Sequence, residues 1–260
     1  MAAVFEMVDR DGETAGGIIA CALAYKLFIW LLPLTLVVVA GLGITADAAG
    51  ESPQEAAESA GLGGLVSTSV ASAASGSGRW YALVVGVPVL IYVTRSVLRA
   101  LIGAHRLIWR GERASVPKPT VPATLRLLLL LLVLPFVSTI ATALRDRSPG
   151  IGLLGTLLAI LPFAGLWLLV TMGLPHRDAP WTALIPGALV FGFGCELLQV
   201  VLAYFLVPYA LAKQGTYGAL GVAAALLFGL YLISRLVVAA AVVNATLWER
   251  RSSREPAAAA

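Results

Sequence analysis

The segment Ile18–Ile44 reads IIACALAYKLFIWLLPLTLVVVAGLGI and contains a single charged residue, Lys26. A helix needs about 20 mostly apolar residues to cross a hydrocarbon layer about 30 Å thick. This segment is long enough to do so with some tilt. It is also about twice as long as the core of a cleaved signal peptide, and the residues before it are acidic. We therefore interpret it as a retained transmembrane span, although Ala46-Asp47-Ala48 loosely resembles a cleavage site.

The whole chain has the composition of a membrane protein. Its 260 residues are 59% hydrophobic and only 12% charged, whereas a soluble domain has about 25% charged residues. Five further apolar segments follow the first: Trp80–Gly103, Val121–Leu144, Ile151–Leu174, Trp181–Ala210 and Thr216–Leu247. We predict an all-α polytopic protein whose residues 18–247 form a bundle of six transmembrane helices. Residues 1–17 are expected to form a short surface helix, and residues 248–260 a disordered tail.

Lysine and arginine are distributed unequally between the two sides of these spans. Nine lie on the side of the termini and four on the other side. The nine are Arg10, Arg106, Arg110, Arg113, Lys118, Arg177, Arg250, Arg251 and Arg254. Because basic loops stay inside, we expect both termini in the cytoplasm. The bases form no single patch or arm, which argues against a nucleic-acid partner despite the net charge of +4.

Tryptophans and the first loop add detail to this topology. Tryptophan prefers the membrane interface, and four tryptophans fall at predicted span ends: Trp80, Trp109, Trp181 and Trp248. In the long first loop, residues 45–79, Ser52-Pro53-Gln54-Glu55 has the form of a helix-capping box with proline at the first helical position. We predict one or two short helices there, on the extracytoplasmic side.

Cysteine and histidine give no sign of a metal or redox site. Cys21 and Cys195 lie inside apolar runs, which is typical of core or lipid-facing thiols. His105 and His176 stand alone at predicted helix ends. Without a cluster of Cys, His and Asp, we predict neither a metal nor a cofactor.

Prolines and small residues indicate how the spans pack. Prolines lie inside five of the six spans: Pro33, Pro88, Pro135, Pro162, Pro186 and Pro208. These predict kinked helices, and the kinks are either an ordinary property of membrane helices or a device that opens an internal cavity. The last span has small residues on one face, at Gly218, Gly221, Ala225 and Gly229. We predict that this face packs closely against a neighbouring helix.

Several polar residues lie within the spans. Lys26, Arg95, Arg99 and Arg235 all fall in the cytoplasmic half, whereas Glu196 is near the middle of the fifth span. A charge at the bilayer centre costs at least about 2.5–3.5 kcal/mol. One interpretation is that the bases extend to anionic headgroups and that Glu196 forms one structural pair with an Arg or Lys. The other is a basic site, open to the cytoplasm, that receives an anionic solute or lipid headgroup. Its candidate ligand-binding residues are Lys26, Arg95, Arg99, Glu196, Gln199, Arg235 and Asn244.

These residues give the chain a resemblance to the YihY/BrkB family of bacterial inner-membrane proteins. Ala22-Leu23-Ala24-Tyr25, Leu27-Phe28 and Leu32-Pro33-Leu34 resemble the family's first span. A second set of residues resembles the family's last two spans: Tyr204, Tyr209, Tyr217-Gly218-Ala219-Leu220-Gly221, Tyr231 and Asn244-Ala245. Glu196 stands where the family often has an acid. Two positions differ from the common pattern. The family often has Gly-Ala-Glu before the asparagine of its last span, where this chain has Ala240, Ala241 and Val242. Lys26 stands where the family often has an aromatic or small residue.

The resemblance implies six helices in the inner membrane but no settled activity. Members of the family have carried a ribonuclease label and have also been proposed as transporters. A metal nuclease needs clustered carboxylates or histidines, and an intramembrane enzyme needs a nucleophile beside a base. We recognise neither arrangement and predict that the chain is not an enzyme. The leading hypothesis is a transporter or lipid-handling protein for an anionic ligand, with membrane lipids as partners. The alternative is a structural or assembly protein of the membrane.

Overall fold

Seven α-helices and one 3-10 helix make up the described parts of the chain, and no strand lies among them. The structure is a computed structural model that describes residues 2–49, 78–109, 119–145, 149–201 and 214–258. The helices are α1 (Ala2–Glu13), α2 (Gly16–Ala49), α3 (Gly78–Ile108), α4 (Val121–Arg145), α5 (Pro149–Met172), α6 (Ile185–Val201) and α7 (Gln214–Ala258). The all-α class is confirmed. The helices predicted after Ser52 lie outside the described residues.

Four helices carry apolar stretches long enough, by length and composition, to cross a membrane: Gly16–Gly41, Trp80–Ile108, Trp181–Gln199 and Ala223–Ser253. Within the described residues, α4 and α5 contribute the shorter apolar stretches Val121–Val133 and Ile160–Met172. Large apolar side chains are exposed along these helices, among them Tyr92, Leu129 and Phe193. A helix that is apolar on its exposed face as well as its buried face is typical of a membrane span.

A tight turn separates the short first helix from the long second one. Ala15 has a φ of 52°, in the left-handed region, and the Thr14 hydroxyl donates to the Arg10 carbonyl oxygen at 2.8 Å. These features end α1, and α2 begins at Gly16. The short helix expected in residues 1–17 is therefore present, and it leads directly into the first apolar stretch.

Two details of the later helices were not predicted. The fifth span does not begin as one helix, because the 3-10 turn Trp181–Leu184 precedes α6. Pro186 consequently lies in the first turn of α6, where backbone N–H groups have no hydrogen-bond partner within the helix. A proline at this position therefore need not kink the helix. The tail after Trp248 was expected to be disordered, but α7 continues to Ala258. Alanine favours a helix, and contacts of the tail with α1, given below, hold the first of these extra turns.

Four of the other predicted prolines do lie inside helices: Pro33 in α2, Pro88 in α3, Pro135 in α4 and Pro162 in α5. Pro208 falls outside the described residues. Trp80 and Trp181 are exposed, as expected of interfacial rings, but Trp109 is buried. The Trp109 ring thus packs against protein instead of facing the interface. Both cysteines are free thiols, with Cys21 exposed and Cys195 buried.

The chain divides into two units, one formed by Met1–Lys26 with Val97–Ala260 and the other by Leu27–Ser96. In the first unit, α4 packs on α5, α5 on α6 and α6 on α7, while α1 packs on α7. The glycines of α6 allow this close packing. A Cβ at Gly192 would lie 2.6 Å from the Ile160 carbonyl oxygen in α5, and one at Gly194 would overlap the Leu236 side chain in α7.

The small-residue face predicted on the last span is described only in part. Gly229 is buried and Ala225 half-buried in α7, whereas the surroundings of Gly218 and Gly221 lie outside the description. The close approaches that the structure does describe involve α6 glycines, which the sequence analysis did not single out. The packing role of the α7 face therefore stays a prediction.

In the second unit, α2 and α3 are joined by a buried hydrogen bond. The Trp30 indole Nε1 donates to Thr94 Oγ1 at 2.9 Å, and the Thr94 hydroxyl donates to the Leu90 carbonyl oxygen at 2.7 Å. Both side chains are buried. The threonine thus satisfies the one donor of the indole while its own proton stays within α3.

Thr94→Val is expected to lower the stability of the purified protein by about 0.6–1.7 kcal/mol, the range for interhelical hydrogen bonds in a membrane bundle. The change keeps the shape of the side chain but leaves the Trp30 N–H unpaired. Thermal unfolding in detergent measures the effect. Thr35→Val is the matched control, since the exposed Thr35 hydroxyl bonds only to its own helix, at Leu32. Equal melting temperatures for the two variants would contradict the assignment.

Candidate functional site

Charged side chains from three parts of the first unit come together in one group. We call this group the charged junction. It consists of Glu6, Arg10, Asp11, Arg177, Arg235, Glu249 and Arg250. Its members come from α1, from the connection between α5 and α6, and from α7.

Arg10 is the centre of the charged junction and is only 2% exposed. Its Nη1 and Nη2 donate to the two carboxylate oxygens of Glu249 at 2.8 and 2.7 Å, and its Nε donates to the Ile108 carbonyl oxygen at 2.9 Å. A bidentate pair of this kind is strong and directional. Ile108 is the last residue of α3, where carbonyl groups lack partners within the helix and favour a positive charge. One side chain thus joins α1, α3 and α7.

Two further pairs bind α1 along α7. Arg235 donates from Nη1 and Nη2 to the Asp11 carboxylate at 3.1 and 3.0 Å. Arg250 Nε donates to Glu6 Oε2 at 2.5 Å. These side chains are partly exposed, so each pair contributes little stability by itself. Together with the buried Arg10 pair, they set the position of α1 on α7.

The connection between α5 and α6 reaches the same place. Arg177 has a φ of 52°, and its Nη1 lies 3.7 Å from Glu249 Oε1. The charged junction therefore gathers the start of α2, the end of α3, the α5–α6 connection and the last turns of α7. These are the ends that lie on one side when successive helices alternate in direction.

Arg235 has a partner that the sequence analysis did not foresee. The sequence analysis placed four bases, Arg235 among them, and one acid, Glu196, within the spans, and it did not consider the acids before the first span as partners. One of those acids, Asp11, pairs with Arg235. The physical reason is that α1 folds back on α7 and brings its own acids to the basic residues of that helix.

Asn244 also has a structural contact. It is 1% exposed, and its side-chain oxygen accepts a hydrogen bond from the Gly187 N–H at 2.6 Å. Gly187 is in the first turn of α6, where backbone donors lack partners within the helix. Asn244 thus caps α6 from a different helix, in the way that an N-cap side chain does within one chain segment.

The remaining predicted residues lie on several helices. Glu196, in α6, is 3% exposed, whereas Lys26 and Gln199 are half-buried in α2 and α6. Arg99 is exposed on α3. Arg95, half-buried on the same helix, belongs to the second unit. The ligand-binding role assigned to these residues stays a prediction.

A buried aromatic group also escaped the sequence analysis. His105, at the end of α3, lies with its ring centroid 6.4 Å from that of Trp167, which stacks on Phe191 at 4.4 Å. His105 Nδ1 is 3.2 Å from the Leu101 carbonyl oxygen. Within the described ranges, His105 Nε2 and Trp167 Nε1 are buried and make no hydrogen bond. In the same ranges, no group of three His, Cys, Asp or Glu residues could hold a metal ion.

The sequence contained one usable signal for the charged junction. The first 13 residues carry four acids, and the tail after the last span carries three arginines. We used the acids only to argue against a signal peptide, and the arginines only for orientation. Both segments were predicted to lie on the cytoplasmic side of the membrane. Their opposite charges could therefore have suggested that the acids of the first pair with the arginines of the second. The burial of Arg10 could not have been foreseen, because it depends on the packing of α3 and α7 around it.

The comparisons with known proteins agree with the membrane-helix architecture. The sequence model of the protein family described as Virulence factor BrkB matches residues 8–260, from the middle of α1 to the end of the chain. No curated protein matches the chain, and no solved structure does.

Proposed function

The chain belongs to the Virulence factor BrkB family, and we propose that it is an inner-membrane protein with six transmembrane helices and both termini in the cytoplasm. Helix direction supports this topology. The start of α2, the end of α3, the α5–α6 connection and the last turns of α7 come together at the charged junction. Six spans that alternate in direction from α2 to α7 bring those ends to one side. The basic residues favour the cytoplasm for that side.

We further propose that the protein transports or otherwise handles an anionic ligand, either an anionic solute or a lipid headgroup. The main support for this proposal is Arg99, because its side chain is exposed on the apolar helix α3. Tyr92 and Leu107, about two turns away on either side, are exposed as well. A guanidinium on the outer face of a membrane helix is stabilised by a phosphate or by water. Arg95 lies one turn from Arg99 and adds a second positive charge.

The proposal is tested with the full-length protein in vesicles of phosphatidylethanolamine and phosphatidylglycerol. One arm measures the movement of fluorescent phosphatidylglycerol between leaflets, and the other measures the uptake of inorganic phosphate. The double variant Arg95→Gln/Arg99→Gln is expected to reduce whichever activity is present at least tenfold without reducing folded yield. Arg251→Gln, at an exposed arginine of α7, serves as the control for charge. Full activity in the double variant, or no activity in either arm for the unaltered protein, would contradict the proposal.

A structural or assembly role is the second candidate. The close packing of α6 through Gly187, Gly192 and Gly194 favours it, because contacts of that kind make helices rigid against one another. Such a protein would show neither lipid movement nor phosphate uptake, and its Arg95→Gln/Arg99→Gln variant would behave like the unaltered protein. On the sequence alone, we also propose a non-enzymatic protein without cofactor or nucleic-acid partner.

A further inference from the structure

Helix α1 has two chemically different faces. One carries Glu6 and Arg10, which pair with α7, and Asp11, at the border between the two faces, also pairs with α7. The other exposes Val4, Phe5 and Val8, at 62%, 67% and 64% of their surface. Residues at positions 4, 5 and 8 share one side of a helix. Three large apolar side chains exposed together on a helix of 12 residues need an apolar partner.

The charged junction places α1 at the level where the apolar stretches end. The stretch in α2 begins at Gly16, directly after the turn that follows α1, and the stretch in α3 ends at Ile108. Arg10 binds the carbonyl oxygen of that same Ile108. Since both stretches belong to helices apolar enough to cross a membrane, α1 lies at the boundary between hydrocarbon and headgroups.

We propose that the face formed by Val4, Phe5 and Val8 inserts into the interfacial layer of the lipid bilayer. The partner is the upper part of the acyl chains beneath the headgroups, as for other amphipathic helices that lie in the membrane plane. The proposal needs α2 to cross the membrane and is independent of any transported ligand.

Continuity of the exposed apolar surface favours lipid over a protein partner. Ile18, in the first turn of α2, is 74% exposed and lies at the start of a membrane-spanning stretch. Exposed apolar side chains therefore resume directly after the turn that follows α1, on a helix apolar enough to cross a membrane. No groove or shape complementary to a folded partner is needed for a contact of this kind.

Charge pairing removes part of an obstacle to this position. Anionic headgroups repel acidic side chains, and α1 carries four of them, Glu6, Asp9, Asp11 and Glu13. Glu6 and Asp11 are each paired with an arginine of α7, Arg250 and Arg235. These pairs offset half of the acidic charge of α1, whereas Asp9 and Glu13 are exposed.

The test places one nitroxide spin label at a time on full-length protein in vesicles of phosphatidylethanolamine and phosphatidylglycerol. The background is Cys21→Ala/Cys195→Ala, which removes both native thiols. Labels on Phe5→Cys and Val8→Cys are expected to collide several-fold more often with oxygen, which dissolves in lipid, than with a water-soluble nickel chelate. Their expected depth is about 5–10 Å below the phosphate level. If the label at position 5 prevents folding, Val4→Cys gives the same measurement.

Two reference positions calibrate the measurement. Val84→Cys, exposed on the apolar part of α3, reports lipid, and Asp178→Cys, exposed in the connection between α5 and α6, reports water. Labels on α1 that behave like the one at position 178 would overturn the proposal. Labels shielded from both oxygen and nickel would also overturn it, because they would show that protein, such as a second copy of the chain, covers the face.

Discussion

Arg10→Met is expected to lower the free energy of unfolding by about 3 kcal/mol, the lower end of the range for breaking one side of a buried ion pair. The guanidinium makes three hydrogen bonds, two to Glu249 and one to the Ile108 carbonyl oxygen. Its loss leaves a carboxylate and a helix-end carbonyl without their main donor. The lower end applies because Glu249 keeps 26% of its side-chain surface and lies 3.7 Å from Arg177.

Thermal unfolding and folded yield in detergent measure this effect, with Arg251→Met as the control at an exposed arginine. Arg10→Lys should recover little, because an ammonium group cannot reproduce the bidentate geometry. The double variant Arg10→Met/Glu249→Met should be more stable than Arg10→Met alone, since it leaves no carboxylate behind. A melting temperature for Arg10→Met equal to that of the control would show that the junction does not stabilise the fold.

Gly187→Ala is expected to be the most disruptive single-methyl change among the described glycines. The new Cβ would overlap the Ala240 carbonyl oxygen and lie 2.6 Å from Cγ of Asn244. A backbone oxygen cannot move unless α7 moves, so overpacking should cost about 1–3 kcal/mol. The weakened bond from the Gly187 N–H to Asn244 adds about 0.5–1.5 kcal/mol. Folded yield and thermal unfolding in detergent are the measurements.

Gly165→Ala in α5 is the matched control, because nothing lies within 4 Å of its added Cβ. It should be neutral or slightly stabilising, as alanine favours a helix over glycine. Gly187→Ala/Asn244→Ala should restore only part of the loss, since the overlap with Ala240 remains. Equal yields for Gly187→Ala and Gly165→Ala would mean that α6 and α7 are not in the close contact described.

The helices could be predicted from the sequence because their signals are local. An apolar run such as Ile18–Ile44 decides its own conformation in a membrane, where every backbone polar group must bond within the segment. Each of the six predicted spans accordingly overlaps a different helix of the described residues, and four of these helices carry stretches long enough to cross a membrane. The 3-10 turn at Trp181 was missed because Pro186 was interpreted as a kink inside a span. Proline is also common in the first turn of a helix.

The candidate site depended on contacts that no local pattern specifies. Arg235 was correctly recognised as a base within a span, but its partner Asp11 lies 224 positions away in the chain. Asn244 was singled out for its depth, and its actual contact, the Gly187 N–H, exists only because α6 begins beside it. Charge and depth are properties of one position, whereas pairing and capping are properties of the folded bundle.

The pairing of α1 with α7 also has a consequence for how the protein is made. Arg10 and Glu249 are 239 positions apart, so α1 is synthesised long before the part of α7 that it contacts. Until Glu249 has been synthesised, α1 lacks the carboxylate that holds its arginine. The contact between α1 and α7 can therefore form only after the helices between them have been made. A chain that stops short of Glu249 would keep its helices but lack this closing contact.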